Sequence, residues 1–191
     1  MKKIFIDCGA NVGQGLRQFI SIFNIDHTWE IHCFEPTPGM VLEQDLMSLN
    51  NLTFHNKAVW NKKGVIEFSM CEPNPDWTEA SQGSIISELY KGELPYPWSS
   101  VRMNSVEVET IDICDILKNY SPDDYIVLKL DIEGSEYEVC RRMLESQEIV
   151  KVDELFIEWH LRICSDHETL ESTDLIKQQI KSFNVNLHDW H

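Results

Sequence analysis

The stretch IFIDCGANVGQG, residues 4–15, runs three apolar residues into a carboxylate, Asp7, and then turns through Gly9, Gly13 and Gly15. Beyond it Val12, Leu16, Phe19, Ile20 and Phe23 recur at helical spacing, so the segment reads as a buried strand, a tight turn and an amphipathic helix. Strand ends in open α/β sheets face a crevice where ligands bind. A strand that stops at an acid and turns through glycines is therefore expected to meet a small molecule.

The same alternation continues outward. EIHCFEP (30–36) reads as a second strand and Leu42, Leu46 and Leu49 mark a following helix. LTFHNKAVW (52–60) reads as a third strand that turns at 61–64 into VIEFSMC as a hairpin. Residues 72–100 hold four prolines, with Trp77, Tyr90, Tyr96 and Trp98 among glycines and serines. An irregular insertion of this length inside a domain points to a lid or acceptor platform. Regular structure resumes at VRMNSVEVETI (101–111), then a short helix to Tyr120, the strand DYIVLKLD (124–131) and a helix buried through Tyr137, Cys140, Met143 and Leu144. ELFIEWH (154–160), a helix through Leu170, Ile176 and Ile180, and FNVNLHDW (183–190) complete the pattern. Strands alternating with helices imply an α/β fold with a mostly parallel sheet and helices on both faces.

Composition narrows the setting. At 191 residues, 42% hydrophobic and 25% charged, the chain fits one globular domain over residues 1–191. With 16 basic and 32 acidic residues its formal charge is −16, which is the wrong sign for gripping phosphate backbones; nucleic acid is not an expected partner. No apolar run approaches the roughly 18 residues of a spanning helix, and MKKIFIDC reaches Asp7 too early for a secretory segment. No membrane partner and a cytoplasmic location are expected. The six cysteines, at 8, 33, 71, 114, 140 and 164, form no CxxC pair and no Cys/His cluster, which suits buried thiols in a reducing compartment.

The opening turn selects among ligands. It lacks the Gly-Lys-Ser/Thr of a triphosphate loop. Counted from Gly9, the glycine that lets backbone approach a pyrophosphate is replaced by Asn11, which argues against a dinucleotide and a dehydrogenase. An amino acid end fits better: amides of residues 9–13 to take a carboxylate at the helix N-terminus, and Asp7 to attract an ammonium. Glu35 closes the second strand, placed to accept both ribose hydroxyls. Together these contacts describe S-adenosylmethionine.

FIDCGANVGQ, CFEPTP, NKAVW and LKLDIEGSEYEV resemble, in order and spacing, the segments of the FkbM-type methyltransferases, a branch of the class I S-adenosylmethionine-dependent enzymes. The resemblance spans about residues 4–160. It implies a Rossmann-like class I fold with a seven-stranded sheet, and methyl transfer to oxygen, commonly on a sugar or another small-molecule hydroxyl. It also implies a cofactor site of Asp7, Gly9, Asn11 and Gly13 around the methionine part, Glu35 on the ribose, and Ala58 offering backbone to the adenine.

Methyl transfer from a sulfonium needs an acceptor oxygen held in line and relieved of its proton. Asp131, at a strand's carboxyl end, is the first candidate for that work, and DIEG in place of Asn/Asp-Pro-Pro-Tyr favours an oxygen acceptor. Glu133 follows closely. Glu136 reads as first-turn charge complementing a helix dipole. Glu158 and His160, two apart on one strand, are expected to share a face; with Asp131 they form a candidate site for Mg²⁺ or Mn²⁺. The rival reading makes His160 a metal-free base titrating near about 6.5. A different class of function is a catalytically silent protein that binds S-adenosylmethionine as a sensor or partner platform.

Overall fold

The computed structural model describes residues 1–71, 84–86, 103–161, 164 and 168–190. Six strands form one sheet: β1 (Lys3–Cys8), β2 (Trp29–Phe34), β3 (Leu52–His55), β8 (Tyr125–Leu130), β9 (Glu154–Ile157) and β10 (Asn186–Asp189), in the order β10-β9-β8-β1-β2-β3. Every neighbouring pair is parallel. The chain winds outward from β1 to β3, then returns to β8 on the other side of β1. The order therefore reverses between β1 and β8, and ligands of open α/β sheets bind outside the carboxyl ends at such a point.

The period-two alternation of these strands gives the main sheet one core on each face. Phe5, Ile31, Cys33 and Val127 face Leu16 and Phe19 of α1 (Gln14–Phe23) and Leu46 of α2 (Gln44–Met47). Ile4, Ile6, Ile126, Leu128 and Leu130 face Ile113 and Leu117 of α3 (Ile113–Leu117), Tyr137, Cys140 and Met143 of α4 (Glu136–Ser146), and Ile176 and Ile180 of α5 (Leu170–Lys181). Helices thus cover both faces, as the sequence pattern implies. Cysteines 8, 33, 114, 140 and 164 are free and buried, and no described helix is long and apolar enough to cross a membrane.

Four sequence expectations are corrected. Among the described residues the main sheet has six strands, where seven are expected. The segment 52–60 is not one strand: Lys57 N–H bonds back to His55 O at 2.9 Å, and that turn sends β4 (Ala58–Trp60) out of the main sheet. β4 joins a second sheet of order β4-β7-β5-β6, with β5 (Gly64–Cys71), β6 (Ser84–Ile86) and β7 (Met103–Asp112). β4 and β5 do not pair with each other as a hairpin; both pair with β7, and Ala58 and Gly64 lie across the same Thr110. The helix expected through Leu42, Leu46 and Leu49 shrinks to the four residues of α2; Leu42 is buried from a non-helical stretch. The expected lid at 72–100 lies outside the described residues apart from β6.

Phe19 is wholly buried and its ring meets Phe5, Phe23, Phe156 and Trp190 at centroid distances of 4.8, 5.9, 4.8 and 4.8 Å. Phe19→Ala should cost about 3 to 5 kcal/mol in urea unfolding; a loss under about 1 kcal/mol would contradict this account of the α1 core.

Candidate active site

Asp7 and Lys129 are register partners on β1 and β8, as are Cys8 and Leu130. Beyond them the two chains press together. Asp131 N–H donates to Cys8 O at 3.0 Å, and a Cβ on Gly9, whose φ is +83°, would stand 1.8 Å from Asp131 O. No side chain fits there. Gly13 is held to glycine chiefly by its φ of +103°, since the atom nearest its Cβ position, Leu46 Cδ1 at 2.3 Å, is the end of a side chain that can move aside. Asn11 between them also has positive φ, 49°, a conformation its short polar side chain tolerates.

The amides of this turn have partners within the chain. Gly9 and Ala10 N–H donate to Phe34 O, each at 3.0 Å, and Gly13 N–H to Ala10 O at 2.8 Å. Asn11 N–H donates to Glu35 Oε2 at 3.0 Å and Val12 N–H to Asn11 Oδ1 at 2.7 Å. The expected carboxylate cradle at 9–13 is therefore occupied by the turn itself. Available donors begin in the first turn of α1, which has no side-chain cap and whose leading amides have no intrahelical acceptor. Glu35 is buried; its other oxygen accepts Thr37 N–H at 3.0 Å. A carboxylate has about four acceptor positions, so this one is fixed in direction with capacity left on both oxygens. Ala58 is buried at the start of β4.

Lys129 is a site residue that the sequence reading misses. Its ammonium lies 3.0 Å from Asp7 Oδ1, 3.1 Å from Gly9 O and 3.2 Å from Asp131 Oδ2. The ammonium at Asp7 is thus the chain's own. Burial pushes the Asp7 carboxyl up, with Lys129 opposing it, while the carboxylates outweigh burial and hold Lys129 charged.

Across the β8 end, the Asp-Ile-Glu-Gly turn brings Asp131, Glu133 and His160 together. Glu133 and Gly134 both have positive φ, 52° and 100°. Glu136, the first residue of α4, is wholly buried and folds back: Ile132 and Gly134 N–H donate to its two oxygens at 2.8 Å each. Its Oε1 also faces His160 Nδ1 at 2.9 Å. Glu136 is thus the brace of the turn and of the imidazole, beyond its expected helix-dipole role. His160 Nε2 then faces Glu133 Oε2 and Glu158 Oε1 at 3.5 Å each and Asp131 Oδ1 at 4.0 Å. β9 ends at Ile157, so Glu158 and His160 do not share a strand face as expected. The three ligand-type atoms that converge within 4.8 Å belong to Asp131, Glu133 and His160, and Glu133 replaces Glu158 in that set.

This crowding moves protons. Burial pushes Glu133 up to about 7, against His160 and with the help of Asp131 and the other acids. Burial and the Asp131 charge also raise Glu158. Burial alone would lower His160, but its hydrogen bond to Glu136 and the charges of Glu136, Glu133 and Asp131 raise it to about 9. The raised value favours the imidazolium near neutral pH, in contrast to the metal-free base expected to titrate near about 6.5.

A family model described as Methyltransferase FkbM domain matches residues 7–182. No curated protein and no solved structure matches the chain.

The cluster makes stability depend on pH. His160 binds its proton more tightly folded than unfolded, so its contribution is complete below its unfolded value, about 6.5, and is lost as pH rises through about 9. Glu133, raised to about 7, acts in the same direction at lower pH. Urea midpoints of the metal-free protein should fall between pH 6 and 9, and fall less in His160→Gln. Equal slopes in the two proteins would show that this imidazole is not held as described.

Proposed function

The chain belongs to the FkbM methyltransferase family, and we propose that it transfers the methyl group of S-adenosylmethionine to a hydroxyl oxygen, with a sugar or glycan as the acceptor. What carries this reading is the placement of Glu35 and of the Asp131–Glu133–His160 group on either side of one crossing, at the sheet's switch point.

The residues present fit the cofactor. Glu35 retains acceptor capacity on both oxygens after taking the Asn11 and Thr37 amides, which suits the two ribose hydroxyls. The uncapped N-terminus of α1 suits a carboxylate. Ala58 would offer backbone toward the adenine, and Gly9, Asn11 and Gly13 shape the turn beneath. When bound, S-adenosylmethionine supplies an activated methyl group on a sulfonium. The chain's own residues orient the acceptor and manage its proton. Asp131 Oδ1 takes the hydrogen bond of the acceptor hydroxyl. That oxygen takes the proton as the methyl–oxygen bond forms and passes it on to Glu133, which is raised to about 7, near the working pH. His160, as a cation, balances the charge of the acids around it.

One observation favours a second use of the same residues. His160 presents Nε2 to Asp131 and Glu133 while Glu136 anchors Nδ1, as outer carboxylates orient metal-binding imidazoles. Mg²⁺ or Mn²⁺ held by these three would acidify the acceptor hydroxyl.

Incubation with methyl-labelled S-adenosylmethionine and a panel of glycans and small-molecule alcohols, read by mass spectrometry, tests the proposal. Label should appear on oxygen, and Asp131→Asn should lower the rate by about 10²- to 10⁴-fold. Activity abolished by EDTA and restored by Mn²⁺ selects the cation, whereas full activity in EDTA selects the metal-free Asp131–Glu133 pair. Binding of S-adenosylhomocysteine without transfer to any acceptor would mark a silent cofactor-binding protein instead.

A further inference from the structure

Lys129 has no part in the chemistry above, yet three elements are built around it. Its side chain is 2% exposed. An ammonium has three N–H donors, and Asp7 Oδ1, Gly9 O and Asp131 Oδ2 stand within 3.2 Å to take them. The first turn of α1 adapts to the lysine stem: a Cβ on Gly15 would stand 3.0 Å from Lys129 Cε. Asp7 has no surface open to a ligand, since its side chain is 0% exposed. Oδ1 is held by Lys129, and Oδ2 is enclosed without a partner among the described residues. An incoming ammonium has no path to either oxygen.

Asp131 differs. Its side chain is 28% exposed, and only one of its oxygens meets the lysine. Because a carboxylate is planar, fixing Oδ2 on Lys129 fixes the direction of Oδ1, which faces His160 Nε2 at 4.0 Å. Lys129 does for Asp131 what Glu136 does for His160.

We propose that Lys129 stands at Asp7 in place of the cofactor's ammonium and is a positioning residue that aims Asp131 at the acceptor hydroxyl. The inference rests on the methyl-transfer reading above. Asp7 then serves as the lysine's counter-ion, and the cofactor's ammonium is bound elsewhere.

Two ligands separate these roles by calorimetry. S-adenosylhomocysteine carries the amino acid end, whereas 5′-methylthioadenosine has the adenosyl thioether without it. Asp7→Asn should change both affinities by the same factor. A loss confined to S-adenosylhomocysteine, roughly ten- to a hundredfold as for a charge-assisted hydrogen bond, would overturn the assignment. The double variant Asp7→Asn/Lys129→Met removes both charges at once and leaves no lone ion buried at Asp7. It should fold, keep its S-adenosylhomocysteine affinity and keep KM for the acceptor identified with labelled cofactor. Its kcat should fall by about a hundredfold, further than in Asp7→Asn. An unchanged kcat in the folded double variant would overturn the positioning role. A wild type that binds both compounds but methylates nothing would defeat the methyl-transfer reading, while the affinity ratio would still decide the place of Lys129. A wild type that binds neither would defeat both.

Discussion

Two backbones cross at the carboxyl ends of β1 and β8 with no room for a single carbon between them. The Gly9 Cα faces Asp131 O so closely that a Cβ would overlap it at 1.8 Å. That contact brings Gly9 O, Asp7 and Asp131 within reach of one ammonium, Lys129. It also joins the half of the site formed by Glu35 and the N-terminus of α1 to the half formed by Asp131, Glu133 and His160. Widening the crossing would detach the residues that suit a cofactor from those that suit an acceptor. Sites held on strand ends keep their geometry better than sites on free loops, and here strand ends from both sides of the switch point contribute.

Charge sets the second condition. Asp131, Glu133, Glu136 and Glu158 all act on His160 or on one another. Such a group stays together only if cations or protons offset the repulsion. Lys129 and the His160 imidazolium supply two positive charges, and the proton held by Glu133 up to about pH 7 supplies further relief. The same balance gives the site an acid of near-neutral pKa beside a carboxylate whose orientation is fixed. Under the proposed transfer to oxygen, such a pair would share the proton of an alcohol, which is otherwise a poor nucleophile.

The central strands were legible because parallel strands covered on both faces read as continuous apolar runs, as in IFI before Asp7 and IVL before Lys129. Strand-end acids follow from the same reading, which is why Asp7, Glu35 and Asp131 stand out. Boundaries were harder. In LTFHNKAVW nothing marks the bond from Lys57 to His55 that splits the segment between two sheets. Leu42, Leu46 and Leu49 recur at helical spacing, yet only the four residues of α2 coil, because a buried leucine can reach the core from an irregular chain. Lys129 was illegible for a different reason: its meaning lies in Asp7, 122 positions away. Glu136 likewise looks like an ordinary helix start until its oxygens are seen on Ile132, Gly134 and His160. Motifs show which residues gather at a strand end, whereas pairing across the sheet decides which of them hold the others in place.

The most direct test of this account is a crystal structure of the protein with S-adenosylhomocysteine. In that complex the ribose hydroxyls should lie on the Glu35 carboxylate, the amino acid carboxylate at the first turn of α1, and the sulfur facing Asp131 and Glu133, with Lys129 still bridging Asp7 and Asp131. A ligand seated away from the β1–β8 crossing, or an amino acid ammonium bound to Asp7 with Lys129 displaced, would contradict it.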